Sequence, residues 1–298
     1  MRHRNFIPAL LAFALLVTLL GASALPARSS PAWHAQVDRW ILDTLADEGE
    51  AEFLVFLTSQ ADLSGAAAIR DKRARGAYVV EQLKTTAGRT QPAVSAALDR
   101  LGVAYRPYWI ANVIWVRGPA SAVEQLAQRG DVARLYANPR LQIDLPAPER
   151  SALSPQVVEP SLSHIEAPAV WAMGITGAGV VVAGQDTGYQ WDHPALVTQY
   201  RGWDGSSADH NYNWHDAIHA NINPTPGNPC GFDAAAPCDD IGHGTHTVGT
   251  MVGDDGAANQ IGVAPGARWI GCRNMEQGAG TPATYIECFQ WFVAPTDL

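Results

Sequence analysis

The chain has 298 residues, 47% of them hydrophobic and 16% charged, enough for two ordinary domains. Its net charge of −9 is uneven: residues 151–298 hold 3 Lys and Arg against 15 Asp and Glu, whereas residues 25–150 hold 15 against 14. That balance argues against nucleic acid or an anionic membrane surface as a partner and places a boundary near residue 150; an acidic surface keeps an exported protein soluble.

Residues 1–24 read as an export signal. Arg2 and Arg4 precede an apolar run from Phe6 to Leu20, and Ala22-Ser23-Ala24 forms a small-residue cleavage site, with cleavage after Ala27 as the other option. The run is short for a membrane span of about 20 residues, and Pro8 interrupts it. A secreted or envelope protein is expected, with no membrane contact once the signal is removed.

Residues 52–138 alternate element types in the order βαββαβ. Glu52–Leu57 reads as a strand. Ser64 is placed to cap a helix with Ile69, Val79, Val80 and Leu83 on its apolar face, and a second segment runs through Val94, Leu98 and Leu101 to Gly102. Val103 to Ile110 and Asn112 to Val116 read as a hairpin. Ser121-Ala122-Val123-Glu124 matches a capping-box start, followed by a strand from Val132 to Tyr136. The order predicts an α+β ferredoxin-like domain, a fold that hosts many functions, ordinary ligand binding among them. A proline- and serine-rich stretch from Leu145 to Pro160 then reads as an exposed linker, and Ile165 to Met173 as a short helix.

Two motifs carry the chemistry. In Gly184-Gln185-Asp186-Thr187-Gly188 a valine-rich strand ends on a carboxylate followed by a glycine turn, and Gly242-His243-Gly244-Thr245-His246 sets an imidazole between two glycines at a helix start. The glycines leave room for a substrate backbone beside His243. Alone, Asp186 could be a turn former and His243 a packed or surface histidine; as a pair they fit general-base chemistry.

These blocks, in this order, resemble the subtilisin (subtilase) serine peptidases, in which Asp precedes His and Ser. The resemblance implies a subtilisin-like α/β fold over residues 151–298, a parallel sheet with helices on both faces. It also implies that Asp186 orients His243 and that His243 takes a proton from a serine hydroxyl. No serine follows Ser207, so the family's Gly-Thr-Ser-x-Ala-x-Pro block is missing, as is its oxyanion asparagine. The expectation is a precursor truncated before the serine block, an incomplete sheet, and a fragment without peptidase activity.

The same resemblance makes residues 25–150 a propeptide that chaperones folding and inhibits intramolecularly, its tail somewhere in Asn138 to Ala152, with a processing cut in the linker. It implies a polypeptide substrate held along an edge segment at Gly278, Ala279 and Gly280. Here the plain alternative is a flexible loop ending in a Thr281 cap, with Pro282 opening a helix that runs through Tyr285, Ile286, Phe289 and Phe292. Ile261–Ala267 matches the family's Gly-Val-Ala-Pro turn into a strand at 268–273. Ala195 stands where many members have a calcium-ligating aspartate, so no cofactor is expected and calcium is unsupported. Asp239 precedes His243 by four residues, where the family often has an acid; a loop-holding or capping role is the alternative. Thr247 and Val248 depart from the commoner Val-Ala and point to a bacillopeptidase F-like branch.

Between Leu196 and Asp240 a long polar segment carries His210, His215, Asp216, His219, Cys230 and Cys238. It has neither Cys-x-x-Cys nor His-Glu-x-x-His spacing, and export favours disulfides, so no metal site is expected. Cys230 and Cys238 are predicted to pair, which the chain-entropy model values at about 2.5 kcal/mol. Cys272 and Cys288 are placed to pair between a strand and the next helix, in competition with any cysteines further along. Three functional classes follow: a subtilisin-like endopeptidase precursor, a non-catalytic pseudoenzyme or propeptide-type inhibitor, and an aspartic or metal hydrolase. The last rests on a single Asp186-Thr187-Gly188 triplet, which would need a homodimer.

Overall fold

The computed structural model describes residues 31–144, 158–223, 227–257 and 259–297. The expected signal and most of the linker, with its processing cut, lie outside them. Residues 33–298 form one compact unit.

After a 3-10 turn at Ala32–Gln36, the first α-helix, α1 (Arg39–Glu48), was not anticipated from sequence. Asp38 caps it by accepting from the Trp40 N–H at 3.0 Å, and Gly49 ends it in a left-handed conformation at φ 81°. Strand β1 (Glu50–Leu57) follows, then helix α2 (Lys72–Leu101). The expected cap and break both move. Asp71 caps α2 through the Ala74 N–H at 2.8 Å, while Ser64 opens a short 3-10 turn. The two expected segments are one helix that carries Pro92 internally. Its buried face is Thr86, Ala87, Gln91, Val94 and Leu98, in the C-terminal half, so Val79, Val80 and Leu83 are only partly covered.

Strands β2 (Ala104–Tyr108) and β3 (Val113–Pro119) form the hairpin, α3 (Ala120–Ala127) crosses back, and β4 (Val132–Ala137) completes the sheet. Pro119 stands at the start of α3 with no side-chain cap, and Ser121 lies inside the helix; the capping box is absent. The strand order is β2-β3-β1-β4, all antiparallel, which is the split βαββαβ arrangement. Alternation along β1 explains why it is apolar from Phe53 to Leu57. Phe53, Val55 and Leu57 face the core with Val94, Leu98, Val116, Leu126 and Leu135, whereas Leu54 and Phe56 face the other way.

That second face is covered by the other half of the chain. After β5 (Leu141–Gln142) come two short helices where one was expected, α4 (Pro160–His164) and α5 (Ala167–Ala172). Strand β6 (Val181–Asp186) follows, then β7 (Trp214–Asp216), a short strand within the polar segment. Helix α6 (His243–Val252) precedes β8 (Arg268–Arg273), the pair β9 (Met275–Glu276) and β10 (Ala279–Gly280), and α7 (Pro282–Val293).

Strands β6, β8 and β7 form a parallel sheet in that order, with Asp186 and Asp216 both aligned to Arg273. Its two faces are read off β8. Trp269 packs with Tyr189, Tyr200, Trp214, Val248 and Val252 under α6, and the next residue, Ile270, packs with Cys288 and Trp291 of α7 on the opposite side. This is the α/β arrangement the motifs imply. α7 is therefore shared: Trp291 faces the parallel sheet, while Ala283 and Ile286 pack on Leu54, Tyr108 and Val113 of the antiparallel sheet. Phe289, expected on the apolar face, is 52% exposed.

Candidate active site

Asp186 ends β6 and is 8% exposed; His243 opens α6 with its side chain 32% exposed. The His243 Nδ1 lies 2.6 Å from Asp186 Oδ1, which also accepts from the Thr187 N–H at 2.8 Å. The second carboxylate oxygen, Oδ2, accepts from the Thr247 hydroxyl at 3.1 Å. The Asn274 N–H reaches the Asp186 carbonyl at 3.0 Å, tying the end of β8 to the same residue. A carboxylate held by three donors fixes the ring through Nδ1 and leaves Nε2 for proton exchange.

The glycines beside His243 also determine how α6 meets the Asp186 turn. A Cβ on Gly244 would stand 2.0 Å from the Gly188 carbonyl oxygen and 3.0 Å from Asp186 Cβ, so its bare Cα lets α6 dock on the Asp-Thr-Gly turn. Gly242 supplies a left-handed φ of 81° before the helix. Asp239 fastens the joint. It accepts from the Thr187 hydroxyl at 2.8 Å, from the Gly242 N–H at 2.9 Å and from the Thr245 N–H at 2.8 Å, a carboxylate at a helix N-terminus. Thr187 in turn accepts from the Gly244 N–H at 3.1 Å.

Gly278, Ala279 and Gly280 follow shortly after Asn274, whose N–H ties the end of β8 to Asp186. Gln277 and Gly278, at φ 48° and 80°, make the tight turn between β9 and β10. On its other edge β10 is paired antiparallel with β5: Ala279 faces Gln142, Gly280 faces Leu141, and the Ile143 N–H donates to the Gly278 carbonyl at 2.9 Å. An extended peptide thus occupies this edge, and it is the chain's own segment 141–143.

The four cysteines are bonded Cys230–Cys238 and Cys272–Cys288, the second joining β8 to α7. Of the histidines in the polar segment, His210 pairs with the Tyr200 hydroxyl, and His215 and His219 meet Glu287 of α7. Among the described residues no group of three or more His, Cys, Asp or Glu is arranged to hold a metal ion. Ala195 is buried, and its carbonyl accepts from the Asp254 N–H at 2.9 Å.

Sequence reading missed four contributors. Arg273 is fully buried, paired with Asp240 at 2.9 Å and Asp216 at 3.3 Å, and holds the 228–240 loop against β7 and β8. Burial pushes both carboxyls up from their ordinary range, against the pull of the arginine. An arginine directly after a strand cysteine was the available signal. Thr187 and Asn274 were visible only as motif neighbours.

Glu287 is the fourth. Its Oε1 accepts from His215 Nε2 at 3.0 Å and His219 Nε2 at 2.8 Å; its Oε2 accepts from the Tyr108 hydroxyl at 2.9 Å and Arg106 at 3.4 Å. Burial opposes its ionisation, but the hydrogen bonds from His215 and His219 and the nearby charges hold the carboxyl down at about 2. Burial likewise works against charge on His219, yet its hydrogen bonds to Glu287 and Asp233 raise it above the ordinary histidine value.

A parallel α/β sheet with an Asp–His couple at the carboxyl end of a strand defines a site built for proton transfer. Residues 177–296 match the model of the subtilase family, Peptidase_S8, and belong to that family. Bacillopeptidase F of Bacillus subtilis (strain 168) is 34% identical over 235 residues, covering 74% of this chain and 16% of that protein. The minor extracellular protease Vpr of the same organism is 32% identical over 178 residues, 56% of this chain and 20% of its own length. The epidermin leader peptide processing serine protease of Staphylococcus aureus shares the fold at a TM-score of 0.56 and 13% identity, over 81% of this chain and 48% of that one. The chain thus spans a sixth to a half of the length of these relatives. No helix among its described residues is long and apolar enough to cross a membrane.

Proposed function

We propose that this chain is the front part of an exported subtilisin-like serine endopeptidase precursor. Residues 1–24 are the export signal, 25–150 the propeptide with its linker, and 151–298 the part of the peptidase domain that carries Asp186 and His243. The single observation that carries this reading is the 2.6 Å contact between His243 Nδ1 and Asp186 Oδ1 within a subtilase-family segment. In the reaction His243 Nε2 takes the proton of a serine hydroxyl as it attacks a peptide carbonyl, then returns it to the leaving amine, while Asp186 steadies the imidazolium.

The pairing of residues 141–143 on β10 supports the propeptide role, because a peptide substrate adds to an edge in the same way. No serine follows Ser207, so residues 208–298 offer no candidate for the nucleophile. A second reading, a pseudoenzyme or propeptide-type inhibitor, draws on that same missing serine. Reading the coding sequence past residue 298 separates the two. An in-frame Gly-Thr-Ser-x-Ala-x-Pro, with labelling of the longer product by a serine-directed phosphonate, supports the peptidase; a stop codon or an unlabelled product rules it out.

A further inference from the structure

We propose that Thr247 is a positioning residue that fixes the Asp186 carboxylate from the same helix that carries His243; this rests on the Asp–His reading above. Asp186 Oδ1 already has two donors, His243 Nδ1 at 2.6 Å and the Thr187 N–H at 2.8 Å. For Oδ2 the donor is Thr247 Oγ1, at 3.1 Å. The side chain is in reach because positions four apart on a helix lie on one face, one above the other. α6 therefore grips both oxygens of a carboxylate that is 8% exposed.

The hydroxyl has one proton and two acceptors in range, since the Gly244 carbonyl stands at 2.9 Å. The carboxylate takes it. A charged acceptor forms the stronger bond, and a helical carbonyl at that position already serves the residue four further on. Threonine here replaces the valine common in the family, so the same β-branched shape gains a donor that valine lacks. The consequence is a carboxylate unable to rotate about its last bond without breaking a bond to α6, which keeps Oδ1 on His243 when the ring is charged and when it is neutral.

The test is made on the full 298-residue chain by NMR of the proton on His243 Nδ1, which a hydrogen bond to a carboxylate shifts downfield and shields from water. Wild type and Thr247→Ser, which keeps the hydroxyl, are expected to show the resonance with equal exchange rates. Thr247→Val, which keeps the shape, is expected to exchange it about tenfold faster, the factor that losing one hydrogen bond to a charged group gives. Thr247→Ala repeats the comparison should valine disturb the packing, and must behave as valine does. An unchanged resonance in both variants overturns the proposal while leaving the Asp–His pair intact. Its absence from the wild type overturns the pair, and the proposal with it.

Discussion

The Tyr108 hydroxyl on β2 donates to Glu287 on α7 at 2.9 Å, across 179 residues of chain, and both groups are buried. This bond and its neighbours join the antiparallel sheet to the parallel one: Arg106 reaches the same oxygen, and Gln290 accepts from the Trp109 N–H at 2.6 Å and the Ile110 N–H at 3.3 Å. Replacing Tyr108 with Phe removes one donor and is expected to cost about 1 kcal/mol. Glu287→Ala strips the carboxylate from two histidines and a tyrosine, an expected loss of about 3 kcal/mol. Urea unfolding of the full chain checks both; midpoints equal to wild type for the pair of variants would sink the assignment.

The same node sets a pH dependence with two limbs. His219 is raised in the folded protein, so its contribution is complete below the ordinary 6.5 and is lost as pH climbs through its folded value. Glu287 is lowered, so its contribution is complete above the ordinary 4.5 and is lost as pH falls toward about 2. The junction is thus expected to hold best in mildly acid solution and to loosen on the alkaline side. His219→Gln should flatten that alkaline limb in a series of thermal melts, and a limb that persists unchanged would show that other groups produce it.

Gly244→Ala places a methyl 2.0 Å from the Gly188 carbonyl, a backbone atom with no flexible end to move aside. Helix α6 must shift away from the Asp186 turn, at an expected cost of about 3 kcal/mol and with loss of the Asp186–His243 bond. A Tm equal to wild type for this variant would refute the docking argument. On the proposed function, once a polypeptide supplying the serine block is in hand, Asp186→Asn is expected to lower kcat by about 10⁴ with the fold retained, measured on a chromogenic peptide; full activity would remove Asp186 from the mechanism.

Reduction of Cys272–Cys288 opens a loop of 16 residues between β8 and α7. The expected loss is about 3 kcal/mol, and a Cys272→Ala/Cys288→Ala double variant, which keeps Cys230–Cys238, should fall between the oxidised and the fully reduced protein in denaturant midpoint. Equal midpoints for the oxidised and reduced proteins would mean that packing alone holds α7.

The motifs that carry the chemistry were legible because each is local. Asp186 closes a strand of small and β-branched residues, and His243 opens a helix whose glycines have no other use in a regular element. What stayed hidden depends on distant partners. Strand β7 is three residues long and gains its hydrogen bonds only from β8, so its own sequence carries no periodicity. Ser64 matched a cap as well as Asp71 does, and only the packing of Val94 and Leu98 under β1 decides where α2 lies. Phe289 looked like core because α7 is apolar nearly all round, yet its two buried faces exclude that position. Arg273 and Glu287 carry no local signal of their role; each is buried because its counter-charges arrive from segments 33 to 181 residues away.

Segment 141–143 on β10 starts only four residues beyond the end of β4. A strand on so short a tether behaves as though present at about millimolar concentration, whatever the protein concentration. A free peptide at micromolar levels faces roughly a thousandfold handicap for that edge, so occupancy by anything else requires the leash to be cut or the whole antiparallel sheet to depart.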